Sequence, residues 1–328
     1  MSPQPRLKFT VSISPDATDE ELLFARQLGI PTAYCWVRDD QSNAAALKAL
    51  RARIEDAGLQ LYMAGNYRIA KSHHIHLATD QRQKMIDEYK ALIEALGEAG
   101  IPVTTFTWEP DKVWSSAQRS TSRDASARHV DLAELKGRGL THERIYSEQE
   151  IWDNFAYFMD QIIPVAESAE VRMALHPNDP PTDALGGVPC LIRSAETYRR
   201  AFAIADSPYL GMEFCCGCWL EGGAAFGDLL AGLAEFVPQD KVLITHFRNV
   251  TAPLPVFTET FLDNGYMDMY QIMRELVAQG YAGTVTLDHT PQFAGAYGQG
   301  SGTAYAIGYM RALLERACDE LGFERPQA

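Results

Sequence analysis

Four apolar stretches of this chain end in residues that bind metals. "RMALH" closes on His176, "LGMEFC" on Cys215, "KVLITHF" carries His246, and "TVTLDH" ends in Asp288 and His289. Imidazole nitrogen, thiolate sulfur and carboxylate oxygen are all ligands for divalent cations. One histidine at the end of a strand-like run is usually packed or hydrogen-bonded. Donors at four successive run ends are what a metal centre needs. Cys215 lies in "MEFCCGCW", which holds Cys215, Cys216 and Cys218. Side chains alternate faces along a strand, so Cys215 and Cys216 cannot both face one site. Aligned with His176 and His246, Cys215 is the ligand; Cys216 packs outward and Cys218 falls in the loop beyond. A disulfide is the weaker reading in a reducing compartment, and no thioredoxin-like pattern surrounds the pair Cys215 and Cys218.

Such donors need a scaffold that gathers distant run ends. Strand-like runs fall at 7–13, 32–37, 59–65, 102–108, 172–176, 210–215, 241–247 and 284–289. They are apolar throughout, as strands buried on both faces are. Between them lie amphipathic stretches such as "NAAALKALRARIEDAG" and "QRQKMIDEYKALIEALGEAG", which Gly58 and Gly100 terminate as helices. The alternation predicts an α/β fold, a (β/α)8 TIM barrel occupying 1–328 as one domain. Connections into strands are short. Those leaving strands are long at 109–146, 177–193 and 248–266, and they emerge where barrel enzymes keep their chemistry. The first contains "SSAQRSTSRDASARH", polar and basic, expected to be a mobile lid that orders over a substrate.

The chain has 328 residues and a formal charge of −14, which argues against nucleic acid or an anionic membrane as partner. No run of about 18 apolar residues occurs, and "MSPQPRLKFT" does not read as a signal peptide. A soluble cytoplasmic protein is therefore expected, with a small molecule as its partner. Barrels of this size are commonly dimers or larger, so a homo-oligomer is expected.

Other polar groups belong to the same strand ends. Arg248, two residues past His246, is placed either to pair bidentately with a substrate carboxylate or to close an ion pair with a loop acid. His289 is the candidate base or a partner of the metal ligands. Asn178 and Asp179 in "HPNDPP", and Glu259 and Asp263 in the loop after "THFRNV", are candidates for substrate hydroxyls. Trp108 and Trp114 flank the lid, where aromatic faces suit sugar C–H surfaces.

Taken together, "IIPVAESAEVRMALHPNDPP", the "FC" of "MEFCCGCW", "THFRNV", "FTETFLDNGYMDMY" and "LDH" resemble, in order and spacing, the mannonate dehydratase family of xylose-isomerase-like barrels. The resemblance spans roughly 80 to 320. It implies a divalent ion held by His176, Cys215, His246 and Asp288, with Mn2+ as the family's usual ion. A thiolate ligand by itself favours Zn2+, and Fe2+ or Co2+ would also fit. The resemblance further implies a carbon–oxygen lyase that dehydrates a sugar acid, D-mannonate or a related aldonic acid, to a 2-keto-3-deoxy acid. His289 would be the base, and a tyrosine before the last helix the acid, Tyr305 or Tyr297 here. The segments "FTVSISPDA", "YCWVRDDQS" and "FTETFLDNG" depart from the family at positions that face substrate, so a related hydroxy acid stays open as the substrate. The competing enzyme class is a metal-dependent sugar isomerase or epimerase on the same barrel; the non-enzymatic alternative is a binding protein that keeps the metal.

Overall fold

The computed structural model describes residues 3–111, 113–295 and 298–326. Eight parallel strands close a barrel in chain order. They are β1 (Lys8–Ser12), β2 (Thr32–Trp36), β3 (Gln60–Gly65), β4 (Val103–Thr107), β5 (Arg172–His176), β6 (Leu210–Cys215), β7 (Val242–Phe247) and β8 (Thr284–Leu287). The principal helices are α1 (Asp19–Gln27), α2 (Ala44–Asp56), α3 (Arg82–Glu98), α4 (Glu148–Ser168), α5 (Ala195–Ala205), α6 (Leu229–Phe236), α7 (Met269–Ala278) and α8 (Gly298–Leu321). The expected xylose-isomerase-like TIM architecture is present.

Local chemistry sets the helix limits. Thr18 and Glu21 form a reciprocal capping box at α1, Ser147 accepts from Glu150 N at α4, and Asp228 accepts from Ala231 N at α6. Gly58 and Gly100 follow α2 and α3 at φ +84° and +68°, a conformation that L side chains resist. The main core lies between strands and helices. A smaller cluster of Met63, Val103, Ala174 and Ile244 sits apart from it, on the strand faces that point into the barrel.

Strand register brings the run ends level. Thr107 stands opposite His176, Cys215 opposite His246, and His246 opposite Thr286. Asp288 lies two residues past Thr286, so it continues the same face. The strand run drawn to 289 in fact ends at Leu287, and Asp288 and His289 begin the loop.

Segment 109–146, expected as a lid, has secondary structure of its own. Strand His129–Asp131 pairs antiparallel with Val256–Thr260 of the loop after β7, and Arg119–Ser120 pairs with Ser126–Ala127. A short helix, Leu132–Lys136, follows, capped by Asp131. Val130 and Leu135 are fully buried, so two apolar residues anchor a polar sequence. Trp108, expected to present a face to sugar, belongs to the core. It is 1% exposed, with ring centres 4.3 Å from His76 and 5.0 Å from Phe155. Trp108→Ala is expected to lower stability by about 3–5 kcal/mol, read as a shifted denaturation midpoint. An unmoved midpoint with a raised KM would return Trp108 to the substrate.

Candidate metal centre and active site

Three donors meet at the C-terminal mouth of the barrel. One ligand atom each from His176, Cys215 and His246 lies within 4.8 Å of the others. Asp288 joins them, with Oδ1 3.4 Å from His246 Nδ1 and Oδ2 3.8 Å from Cys215 Sγ.

The neighbours of each donor set its charge. His176 Nδ1 donates to the Pro177 carbonyl at 2.7 Å; burial disfavours its imidazolium, but the hydrogen bond and charge of Cys215 outweigh this and raise it to about 9. The carboxylate of Glu213 contacts His246 Nε2, and against burial the charges of Glu213 and Asp288 raise this imidazole well above its ordinary range; its buried Nδ1 has no hydrogen-bond partner among the described residues. Burial opposes ionisation of Cys215. Hydrogen bonds to Cys218 and His176 and the Arg248 charge outweigh it, holding this thiol well below its ordinary range. Burial pushes the Cys216 and Cys218 thiols up instead. One thiolate and two thiols therefore occupy the cysteine cluster, and all six cysteines are unpaired. Cys218 does not lie in a loop. It sits in the helix Cys216–Gly222, its Sγ 3.7 Å from Arg248 Nη2.

Arg248 is fully buried, and four carboxylates surround it. Its guanidinium lies 2.5 Å from Glu259, 2.8 Å from Glu221, 2.8 Å from Asp288 and 3.2 Å from Asp179. It does not reach into the mouth for a substrate carboxylate, because it is fully buried among these acids; the ion-pair alternative describes its position. Gly217 explains the glycine of "CCGC". A Cβ there would lie 2.2 Å from Arg248 Nε, so the missing side chain is the guanidinium's clearance.

A second arginine, Arg128, enters the same charges from segment 109–146. It reaches Asp179 at 2.7 Å, Glu259 at 3.2 Å and Glu221 at 3.4 Å, and donates to the Trp114 carbonyl at 2.8 Å. Burial and the neighbouring Asp179 push the Glu221 carboxyl well above its ordinary range, which favours its neutral form and lightens the negative excess. Asp179 and Glu259, expected to meet substrate hydroxyls, are instead buried between these arginines. Asn178 is also buried, its amide spent on the Trp108 carbonyl at 3.2 Å and the Ile192 N–H at 2.8 Å.

His289 remains accessible, with 47% of its side chain exposed. Its Nδ1 lies 2.7 Å from Glu259 Oε2 and its Nε2 3.1 Å from Asp288 Oδ1. It lines a cavity of about 630 Å³ together with Asp288, Tyr34, Trp36, Tyr67 and Phe293. Trp36 and Tyr67 stack there with ring centres 3.9 Å apart. Tyr305 stands on α8 next to Phe293 of this lining. Its ring packs 6.1 Å from Phe293, and its hydroxyl accepts from Arg123 Nη1 at 3.3 Å. Arg123 also pairs with Asp263 at 2.5 Å. Tyr297, the other tyrosine expected as the acid, lies outside the described residues.

Glu213 was absent from the sequence-level set, although alternation places it on the face of Cys215, two residues before it. Arg128 and the aromatic wall carried no spacing signal, since they meet the site only through loop paths. The carboxylate contact of Glu213 on His246 is the kind that orients a metal-binding imidazole. Glu213→Ala is expected to weaken metal affinity about 10–100-fold, with Glu213→Gln between, since an amide oxygen still accepts. Calorimetric metal titration measures both; wild-type affinity in Glu213→Ala would refute the role. Gly217→Ala is expected to displace Arg248 at a cost of about 1–3 kcal/mol and to loosen the metal through Asp288. A melting curve and the same titration check it.

Comparison with known proteins places the chain in a family. The chain is 28% identical over 334 residues to the mannonate dehydratase of Lactococcus lactis subsp. lactis, covering 87% of this chain and 89% of that one. The crystal structure of mannonate dehydratase from Streptococcus suis serotype 2 superposes with a TM-score of 0.86 at 25% identity, covering 98% of this chain and 96% of that one. The fold extends to D-psicose 3-epimerase from Clostridium cellulolyticum H10, at a TM-score of 0.63 and 12% identity over 94% of this chain and 99% of that one. Residues 125–321 match the D-mannonate dehydratase (UxuA) family, and on that match over more than half its length the chain belongs to this family.

Proposed function

We propose that the protein dehydrates a sugar acid, D-mannonate or a related aldonic acid, to the 2-keto-3-deoxy acid, using a divalent ion held by His176, Cys215, His246 and Asp288. The observation that carries this reading is the accessible His289 beside the converging donors His176, Cys215, His246 and Asp288, facing a cavity of about 630 Å³. Mn2+ is the ion of first choice, with Zn2+, Fe2+ and Co2+ as the alternatives for the test. Bound there, the ion supplies positive charge for the substrate carboxylate and for the charge that develops when C2 loses its proton.

The chain's own groups do the rest. Glu259 accepts a hydrogen bond from the Nδ1–H of His289, which leaves Nε2 as the atom assigned to accept the proton from C2. Arg248 neither binds substrate nor moves protons in this scheme; it holds Asp288 and Glu259, and through Glu259 it orients the base. Tyr305 is assigned the proton for the departing 3-hydroxyl, with Arg123 and Asp263 holding its phenol. The stacked Trp36 and Tyr67 offer the apolar faces that a sugar chain packs against and keep bulk water from the reacting carbons. The same reading takes 1–328 as one barrel domain, with 109–146 as an insertion, acting as a homo-oligomer in the cytoplasm. No described helix is long and apolar enough to cross a membrane.

Chelation followed by return of Mn2+, Zn2+, Fe2+ or Co2+, with aldonic acids assayed for 2-keto product, tests the reaction. His289→Asn is expected to retain the metal and to lose about 10²–10⁴ in kcat. Metal binding with ketose–aldose interconversion and no keto acid would replace the lyase by an isomerase or epimerase.

A further inference from the structure

Beside the cavity that holds His289 lies a second one of about 910 Å³ at the root of segment 109–146. Tyr67 lines both, so the two meet at its ring. Arg68, Lys71 and Arg138 outnumber the one acid in its lining, Asp111, which is itself held by Thr141 at 2.8 Å and His142 at 3.1 Å, and Trp114 also lines it. Two of these cations are already satisfied. Arg68 is held by Glu88 at 2.7 Å and Asp39 at 2.8 Å, and Arg138 by Glu134 at 2.5 Å and the Ser115 carbonyl at 2.8 Å.

Lys71 differs. Its ammonium makes no hydrogen bond among the described residues; its nearest anion is Glu109 Oε2 at 3.7 Å, and it stands 5.8 Å from the centre of the Tyr67 ring. Glu109 is a poor counter-ion. It is 6% exposed, its Oε2 has no hydrogen-bond partner among the described residues, and burial raises its carboxyl above the ordinary range. Tyr67 lines the cavity of Asp288 and His289 as well as that of Lys71, so it borders both the metal-facing donors and this cation.

We propose that Lys71, flanked by Tyr67 and Trp114, is a distal anion subsite that takes a second negative group, a carboxylate or phosphate ester, at the end of the sugar acid remote from the metal-facing donors. This rests on the sugar-acid reading above and narrows its substrate. A six-carbon acid held by its first carboxylate beside Asp288 extends past Tyr67 toward Lys71. An ammonium is a compact charge with three rotatable donors, suited to either terminal anion. The arriving group replaces a single contact of 3.7 Å, too long for a hydrogen bond, so little existing pairing is lost.

Metal-loaded protein would be titrated calorimetrically with an aldonate, the matching aldarate and the 6-phosphoaldonate, and turnover of the same acids followed as 2-keto product. One of the doubly anionic acids is expected to bind at least about tenfold more tightly than the aldonate, and which one does so identifies the terminal group. Lys71→Gln should lower that preference about ten- to hundredfold, with Lys71→Arg restoring most of it. Equal binding of all three acids by the wild type, or a preference that survives in Lys71→Gln at unchanged melting temperature, overturns the subsite. Absence of product from every acid overturns the dehydratase reading instead, while the binding titration still scores Lys71 on its own.

Discussion

A guanidinium without access to water, that of Arg248, is the interaction on which the mouth of this barrel depends. Buried charge is tolerated only when its partners are close and numerous, and Arg248 has Asp179, Glu221, Glu259 and Asp288 within 3.2 Å. These carboxylates come from the loop after β5, the helix after β6, the loop after β7 and the end of β8. One cation therefore ties four separate connections to a common point. Taking it away would leave a cluster of like charges in a low-dielectric interior, a change that breaks buried pairs at about 3–5 kcal/mol.

The same group shapes the electrostatics of the donors. Its charge favours the thiolate of Cys215 and the carboxylate of Asp288, both of which burial would otherwise keep protonated. Ligands already deprotonated need shed no proton when a cation arrives. Glu213 does comparable work below them, accepting from Thr105 and contacting His246. The site is thus supported from the barrel interior by one acid and from the loops by one arginine.

Segment 109–146 is part of this support and no loose cover. Arg128 carries it into the carboxylate cluster, and the Glu259 that it meets also holds His289. The seating of the segment and the orientation of the proposed base are therefore mechanically joined. Its outer part, around Trp114 and Arg138, instead borders the cavity of Lys71. One insertion thereby serves the catalytic and the proposed recognition ends of the mouth.

Alternating apolar runs and amphipathic helices made the eightfold barrel legible in the sequence, because strand and helix periods are local properties of the chain. The donors were legible for a related reason: His176, Cys215, His246 and Asp288 fall at strand ends, and closure of a parallel barrel brings such ends together whatever lies between them. Long-range packing decided the rest. Arg248, Asp179, Asn178 and Glu259 looked like substrate contacts because polar residues near an active-site mouth usually are. Only the folded loops show them turned inward on one another. Trp108 looked like a sugar platform until His76 and Phe155 were packed on it. Arg128 and Lys71 lie in loops, where no periodicity tells a buried cation from a solvated one; their difference is whether anions fold around them. Sequence alone thus determined the scaffold and the kinds of donor at its rim. The tertiary structure decided which charges are spent on each other and which remain open, because that depends on paths of loops that no local pattern encodes.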